Sequence, residues 1–253
     1  DGPLGLCGIN RGSISSLTME QCVIISETAS YVGSFCGVNA GKLNNLTTGK
    51  NTSVTGGNYV GGIVGADGYS YIGADGMREA GKQREYKNLY NAASVTGRQV
   101  ADANAHDSSA LSQPNKELAL AGNFVGGIVS YVKGTYVSGG TEVNGISTDS
   151  WTNAGDVTSE YSGNKGKSFV GGLTGYAEDV QFYDCHVSDS HISGAGYNDE
   201  NGNTSAYVGG LIGYLTRGQI VKSFLEGKGS VTVNWGNVGG IVGKNDTGGF
   251  VGN

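Results

Sequence analysis

The chain has 253 residues, 47 of them glycine and only 2 proline, and its 16 basic and 22 acidic side chains leave a net charge of −6. Glycine without a Gly-X-Y period excludes collagen, and the absence of a basic cluster argues against a nucleic-acid partner. No run of 18 apolar residues is present to span a membrane, while Val, Ile, Leu, Phe and Tyr recurring in register at 15% charge exclude a disordered chain.

One phrase, aromatic-Val-Gly-Gly-Ile/Leu, recurs from end to end. A loose copy opens the chain at Gly2-Pro3-Leu4-Gly5-Leu6, and a second loose copy is Tyr31-Val32-Gly33-Ser34-Phe35. Full copies follow at Tyr59-Val60-Gly61-Gly62-Ile63, Phe124-Val125-Gly126-Gly127-Ile128, Phe169-Val170-Gly171-Gly172-Leu173 and Tyr207-Val208-Gly209-Gly210-Leu211. Asn237-Val238-Gly239-Gly240-Ile241 keeps all but the aromatic residue.

After the phrase the sequence predicts a tight turn at Gly65, Gly175, Gly213 and Gly243. An apolar pair follows, as in Ile14-Ser15-Ser16-Leu17 and Leu43-Asn44-Asn45-Leu46, with one extra residue in Ile220-Val221-Lys222-Ser223-Phe224. A third run is centred on Val or Ile, as in Ser53-Val54-Thr55-Gly56 and His191-Ile192-Ser193-Gly194. Short β-branched and aromatic runs between turn residues read as strands. One such unit cannot bury its apolar face alone, but stacked units share a continuous core. The expected fold is all-β: a parallel β-helix, or β-solenoid, of about seven coils with about three short strands each, roughly 30 Å tall at ~4.8 Å per rung.

Residues 1–253 are expected to form a single solenoid domain, a segment of a longer chain, because neither end reads as a polar cap. Insertions near 66–85 and 98–122 swell the third coil, and one near 134–145 the fourth; in solenoids such insertions leave as corner loops. The second holds a stretch at 114–121 with Pro114 near its start, suited to a turn or two of helix. Cys7 and Cys36 hold one repeat position in adjacent copies. On neighbouring strands they would be about 4.8 Å apart, within reach of a disulfide or simply stacked as buried thiols.

The phrase Tyr/Phe-Val-Gly-Gly-Ile/Leu-x-Gly, followed by Ile-x-Asn-x and a Val-Ser/Thr-Gly strand, resembles the GLUG-motif repeat family over nearly the whole chain apart from the insertions. The first two copies depart from the pattern at Leu4 and Ser34. The resemblance implies a segment of a large surface-exposed or secreted protein, mostly bacterial. Adhesin-like proteins and the non-catalytic regions of IgA-peptidase-like proteases are examples. It implies an extracellular or cell-surface setting and carries over no catalytic residue.

The residues themselves point away from catalysis. His106, His186 and His191 form no HExxH zinc motif, and no Gly-x-Ser-x-Gly elbow or P-loop lysine occurs. Asp199-Glu200-Asn201-Gly202-Asn203 offers oxygens suited to calcium but lacks the spacing of an EF-hand and reads as a solvated turn. Asp179, Asp184 and Asp189 fall in one unit without an echo in its neighbours, so they build no carboxylate pair along a groove. No enzyme, metal or cofactor is expected. Tyr31, Tyr59, Phe124, Phe169 and Tyr207 form one repeat column, read as a stabilising stack. Tyr131, Tyr176 and Tyr214 form another, a candidate stripe for contact with a surface glycan or protein or, alternatively, a second stack. The leading expectation is a non-catalytic structural or adhesive solenoid segment. Two alternatives accompany it: a subunit that self-associates end to end through open coils, and an accessory region of a secreted protease or glycan-active enzyme.

Overall fold

The structure is a computed structural model and describes residues 2–68, 84–98, 121–134, 146–160, 167–196, 206–246 and 250–252. Most of the three insertions, residues 114–120 of the 114–121 stretch, His106 and 199–203 lie outside these residues.

The chain is a parallel β-solenoid. Each strand pairs in parallel with its counterpart in a neighbouring coil, and each sheet runs through the coils in chain order. The second to sixth coils each use four strand positions, one more than the repeat suggests. In the third coil these are Tyr59–Gly61, Val64–Asp67, Glu85–Asn91 and Ser94–Gly97. We number the four sheets in that order.

The additional strand arises because the repeated phrase is itself folded. Aromatic-Val-Gly ends a strand of the first sheet, and the chain turns at the glycine pair and begins the second sheet within three residues. Steric approach explains the pair, since neither glycine is among those with positive φ. A Cβ on Gly126 would overlap the carbonyl oxygen of Val129 across the turn, and one on Gly127 would overlap the carbonyl oxygen of Gly172 in the next coil. Gly65, Gly175, Gly213 and Gly243, expected to turn, lie within or at the edge of second-sheet strands. There they face first-sheet backbone: a Cβ on Gly213 would stand 2.7 Å from the amide nitrogen of Val170.

The third sheet carries the apolar pairs. Leu43 and Leu46 are both fully buried although three residues apart, a spacing that places side chains on opposite faces of a straight strand. Between them Asn45 takes a left-handed conformation, φ 60°, which returns Leu46 to the core. Ser16, Asn88, Ser150, Asp184 and Lys222 repeat this kink at the same register with φ of 49–56°. Short polar side chains tolerate that region best, which accounts for Asn, Ser and Asp at most of these places. The register also removes the supposed extra residue in the sixth coil. Lys222 is the kink, Ser223 turns inward and Phe224 is left 40% exposed.

The main core is a column of Val32, Val60, Val125, Val170 and Val208 from the first sheet and Val54, Val95, Val157 and Ile192 from the fourth. The third sheet closes it with Leu43, Tyr86, Phe182 and Ile220, joined by Trp151.

Candidate functional site

The ring columns lie in register but not on the surface. Tyr31, Tyr59, Phe124, Phe169 and Tyr207 stack with centroids 4.7–5.5 Å apart. Tyr131 and Tyr176 stack at 4.8 Å, and Tyr176 meets Tyr214 at 5.3 Å. The two columns meet edge to face, Phe124 to Tyr131 at 5.4 Å and 79°, forming a second apolar cluster apart from the main core. Tyr131, Tyr176 and Tyr214 are each at most 1% exposed, so no ring face is open to a ligand and the stripe is instead a structural stack. Rings in this geometry contribute about 0.5–1.5 kcal/mol per pair beyond area burial.

A second set of inward groups is polar. Asn10 donates to the Asn39 side chain at 2.8 Å, and Asn91 donates to Asn153 at 2.8 Å. Each of these amides also closes its own corner: Asn153 Nδ2 donates to the Gly155 carbonyl at 2.8 Å, and Oδ1 accepts from the Gly155 amide. Thr48 and Ser190 extend the Asn91–Asn153 ladder by a rung on either side. Asn153→Ala removes the acceptor of Asn91 and both corner bonds inside a buried column. We expect it to cost about 2–3 kcal/mol, read as a lower urea midpoint at unchanged slope.

The charged residues gather at one corner, where second-sheet strands end. Asp67 pairs with Arg84, their side chains 0% and 5% exposed, and Tyr86 donates to Asp67 Oδ2 at 2.6 Å. Arg84 also donates to the Lys133 carbonyl at 3.1 Å. Lys133 Nζ meets Glu178 Oε1 at 2.9 Å, both side chains 5% exposed. Arg217 reaches Glu178 and grips Asp179 through two bonds of 2.9 and 3.0 Å. Three cations thus face three carboxylates in a chain that climbs from the third coil to the sixth. Burial lowers the affinity of the Arg84 guanidinium for its proton and raises that of the Tyr86 phenol. The hydrogen bond to Asp179 raises that of Arg217.

The same groups close the necks of insertions. Asp67 and Arg84 bracket the first one, and Asn123, just after the second, donates to the carbonyl of Arg98 just before it. Lys133 stands immediately ahead of the third.

The remaining candidates do not converge. Asp179, Asp184 and Asp189 all take left-handed corner conformations, φ 55°, 54° and 52°, at three different turns. His186 lies 3.2 Å from Asp184 and stacks on Phe224 at 3.9 Å, while His191 Nδ1 meets Ser230 Oγ at 2.9 Å. Among the described residues no three His, Cys, Asp or Glu gather as metal ligands, and no helix is long and apolar enough to cross a membrane. Cys7 and Cys36 are register partners in the first two coils, and both are free thiols. The neighbouring Cys36 thiol draws the Cys7 thiol down to about 7 against the opposing effect of burial. The same pairing, with burial, pushes Cys36 well up.

No protein-family model matches the chain, and no curated protein matches it. Among solved structures it is similar to one described as a "putative immunoglobulin A1 protease" from Bacteroides ovatus, with a TM-score of 0.49 and 16% identity. The match covers 93% of this chain and 58% of that one, so the chain spans a little under three fifths of that protein's length. No residue role follows from it.

Proposed function

We propose that this chain is a non-catalytic β-solenoid segment of a cell-surface or secreted protein, serving as a stalk or adhesive surface, as its resemblance to GLUG-motif repeats implies. The observation that carries the reading is where the repeated chemistry goes. The ring columns, the amide ladders and the buried charges are each engaged by a neighbour in an adjacent coil. Residues spent on holding coil to coil serve length and rigidity. The pinned necks add corners from which insertions can be presented.

The test immobilises the full chain and challenges it with a panel of surface glycans and host proteins, scoring both retention and mass-spectrometric products. Retention of a glycan or protein supports the adhesive role, and no retention leaves the stalk. Cleaved or modified panel members would overturn the non-catalytic reading.

End-to-end association is a second reading, favoured by where apolar side chains emerge. Leu6, Leu17, Val23 and Ile25 are exposed on the first coil, Trp235 at the end of the sixth and Val238 on the seventh. Such faces accept another coil in the same register, whether of the same chain or of a second copy. Light scattering across a wide concentration range tests this, a constant monomer mass counting against it.

A further inference from the structure

Cys7 and Cys36 occupy a column of the second sheet that is otherwise mostly β-branched. The next rungs up are Val64, Val129, Thr174, Ile212 and Val242. Only the two lowest rungs carry thiols, and these are direct Cα partners on paired parallel strands. Strand spacing of about 4.8 Å puts such partners within disulfide range. Cys7 Sγ also lies 3.6 Å from the carbonyl of Phe35, the residue next to Cys36. Cys36 is fully buried and Cys7 is partly exposed. The other two cysteines have no thiol neighbour of this kind: Cys22 contacts the Glu20 carbonyl, and Cys185 contacts Thr148 and the Tyr183 carbonyl.

The location matters as much as the geometry. The first coil packs on the second. Its strands Ser13–Met19 and Val23–Ile25 are largely exposed, whereas Cys36–Asn39 in the second coil is wholly buried. A covalent link there would tie a largely exposed coil to a buried one and oppose its local opening.

We propose that Cys7 and Cys36 form a reversible disulfide that staples the first coil to the second, made by exchange with a low-molecular-weight disulfide. The Cys7 thiolate, the accessible one, attacks one sulfur of the small disulfide. That S–S bond breaks, and one small thiolate leaves and takes up a proton. The Cys36 sulfur gives up its proton to solvent and attacks Cys7 Sγ in the mixed disulfide, releasing the second small thiolate, which is also protonated. Two protein thiols are oxidised to one disulfide while one small disulfide is reduced to two thiols. The lowered pKa of Cys7 favours its role as the attacking group. The staple rests on the geometry of two coils and not on the extracellular reading.

The experiment equilibrates the full chain in glutathione buffers from reducing to oxidising, blocks free thiols, and maps linked peptides by mass spectrometry. Amide exchange of residues 8–25 is followed in parallel. We expect a Cys7–Cys36 link in oxidising buffer, exchange in the first coil slowed about 10-fold or more, and reversal on reduction. Cys7→Ser should abolish the redox difference, and Cys22→Ser should leave it intact. Should Cys36→Ser fail to fold, the Cys7→Ser comparison decides alone, since Cys7 is only half-buried. Three results would overturn the proposal: both thiols still free in oxidising buffer, a link through Cys22 instead, or a Cys7–Cys36 link with unchanged exchange in the first coil.

Discussion

Gly127→Ala should destabilise the chain by about 3 kcal/mol or more, whereas Gly240→Ala should stay within about 0.5 kcal/mol of the parent. Both residues are the second glycine of the same phrase. The new methyl at 127 would overlap the Gly172 carbonyl oxygen and the Asn153 side chain of the amide ladder, while at 240 it meets nothing within 4 Å. Relief at 127 would require the fourth and fifth coils to separate. Those coils are tied there by the amides of Ile128 and Val129, which donate to the Leu173 carbonyl at 2.9 and 3.2 Å. Urea titrations of both variants give the two costs directly. Equal losses would mean that the turn itself demands glycine and would refute coil contact as the reason. The positive-φ glycines, Gly227 and Gly236, lie elsewhere, which already favours contact.

That contrast shows what a repeated motif can and cannot disclose. Recurrence of Val-Gly-Gly discloses stacking, because a residue that must match its neighbour in the next coil has to recur. It does not disclose the turn inside the phrase, since a glycine excluded by a carbonyl across a corner looks the same as one placed in a strand against another sheet. Gly65 was for that reason read as a turn and is a strand residue. The aromatic columns were legible as columns, but not in direction. Tyr131 follows the bend, where simple alternation is lost, and its burial depends on edge contact with Phe124 from another sheet. The amide ladder left a usable trace in Asn10-Arg11-Gly12, Asn39-Ala40-Gly41 and Asn153-Ala154-Gly155, where an Asn precedes a corner by two residues. The charged corner left none. Lys133, Glu178 and Arg217 are complementary across coils and Asp67 meets Arg84 within one, so unlike residues succeed one another and no repeat is visible.

Within that corner, Glu178→Gln should be the most damaging single change, at about 3–5 kcal/mol. The substitution conserves volume and removes only the charge. Lys133 would then keep its ammonium group in a place where its side chain is 5% exposed, with its carboxylate partner gone. Arg217 would suffer less, because it is 34% exposed and still holds Asp179 through two bonds. Lys133→Met should therefore cost less than Glu178→Gln, since Glu178 retains Arg217 and accepts from the Tyr176 hydroxyl at 3.4 Å. Combining the two should recover part of the loss, because the buried ammonium is removed together with the carboxylate it faces. Chemical denaturation of the four proteins completes the cycle. The coupling should persist in concentrated salt, which screens exposed pairs such as Arg98 and Glu160 but not buried ones. A double variant as unstable as the sum of its parts would show that Lys133 and Glu178 act separately. The corner would then be a row of local contacts, not one chain of charge joining four coils.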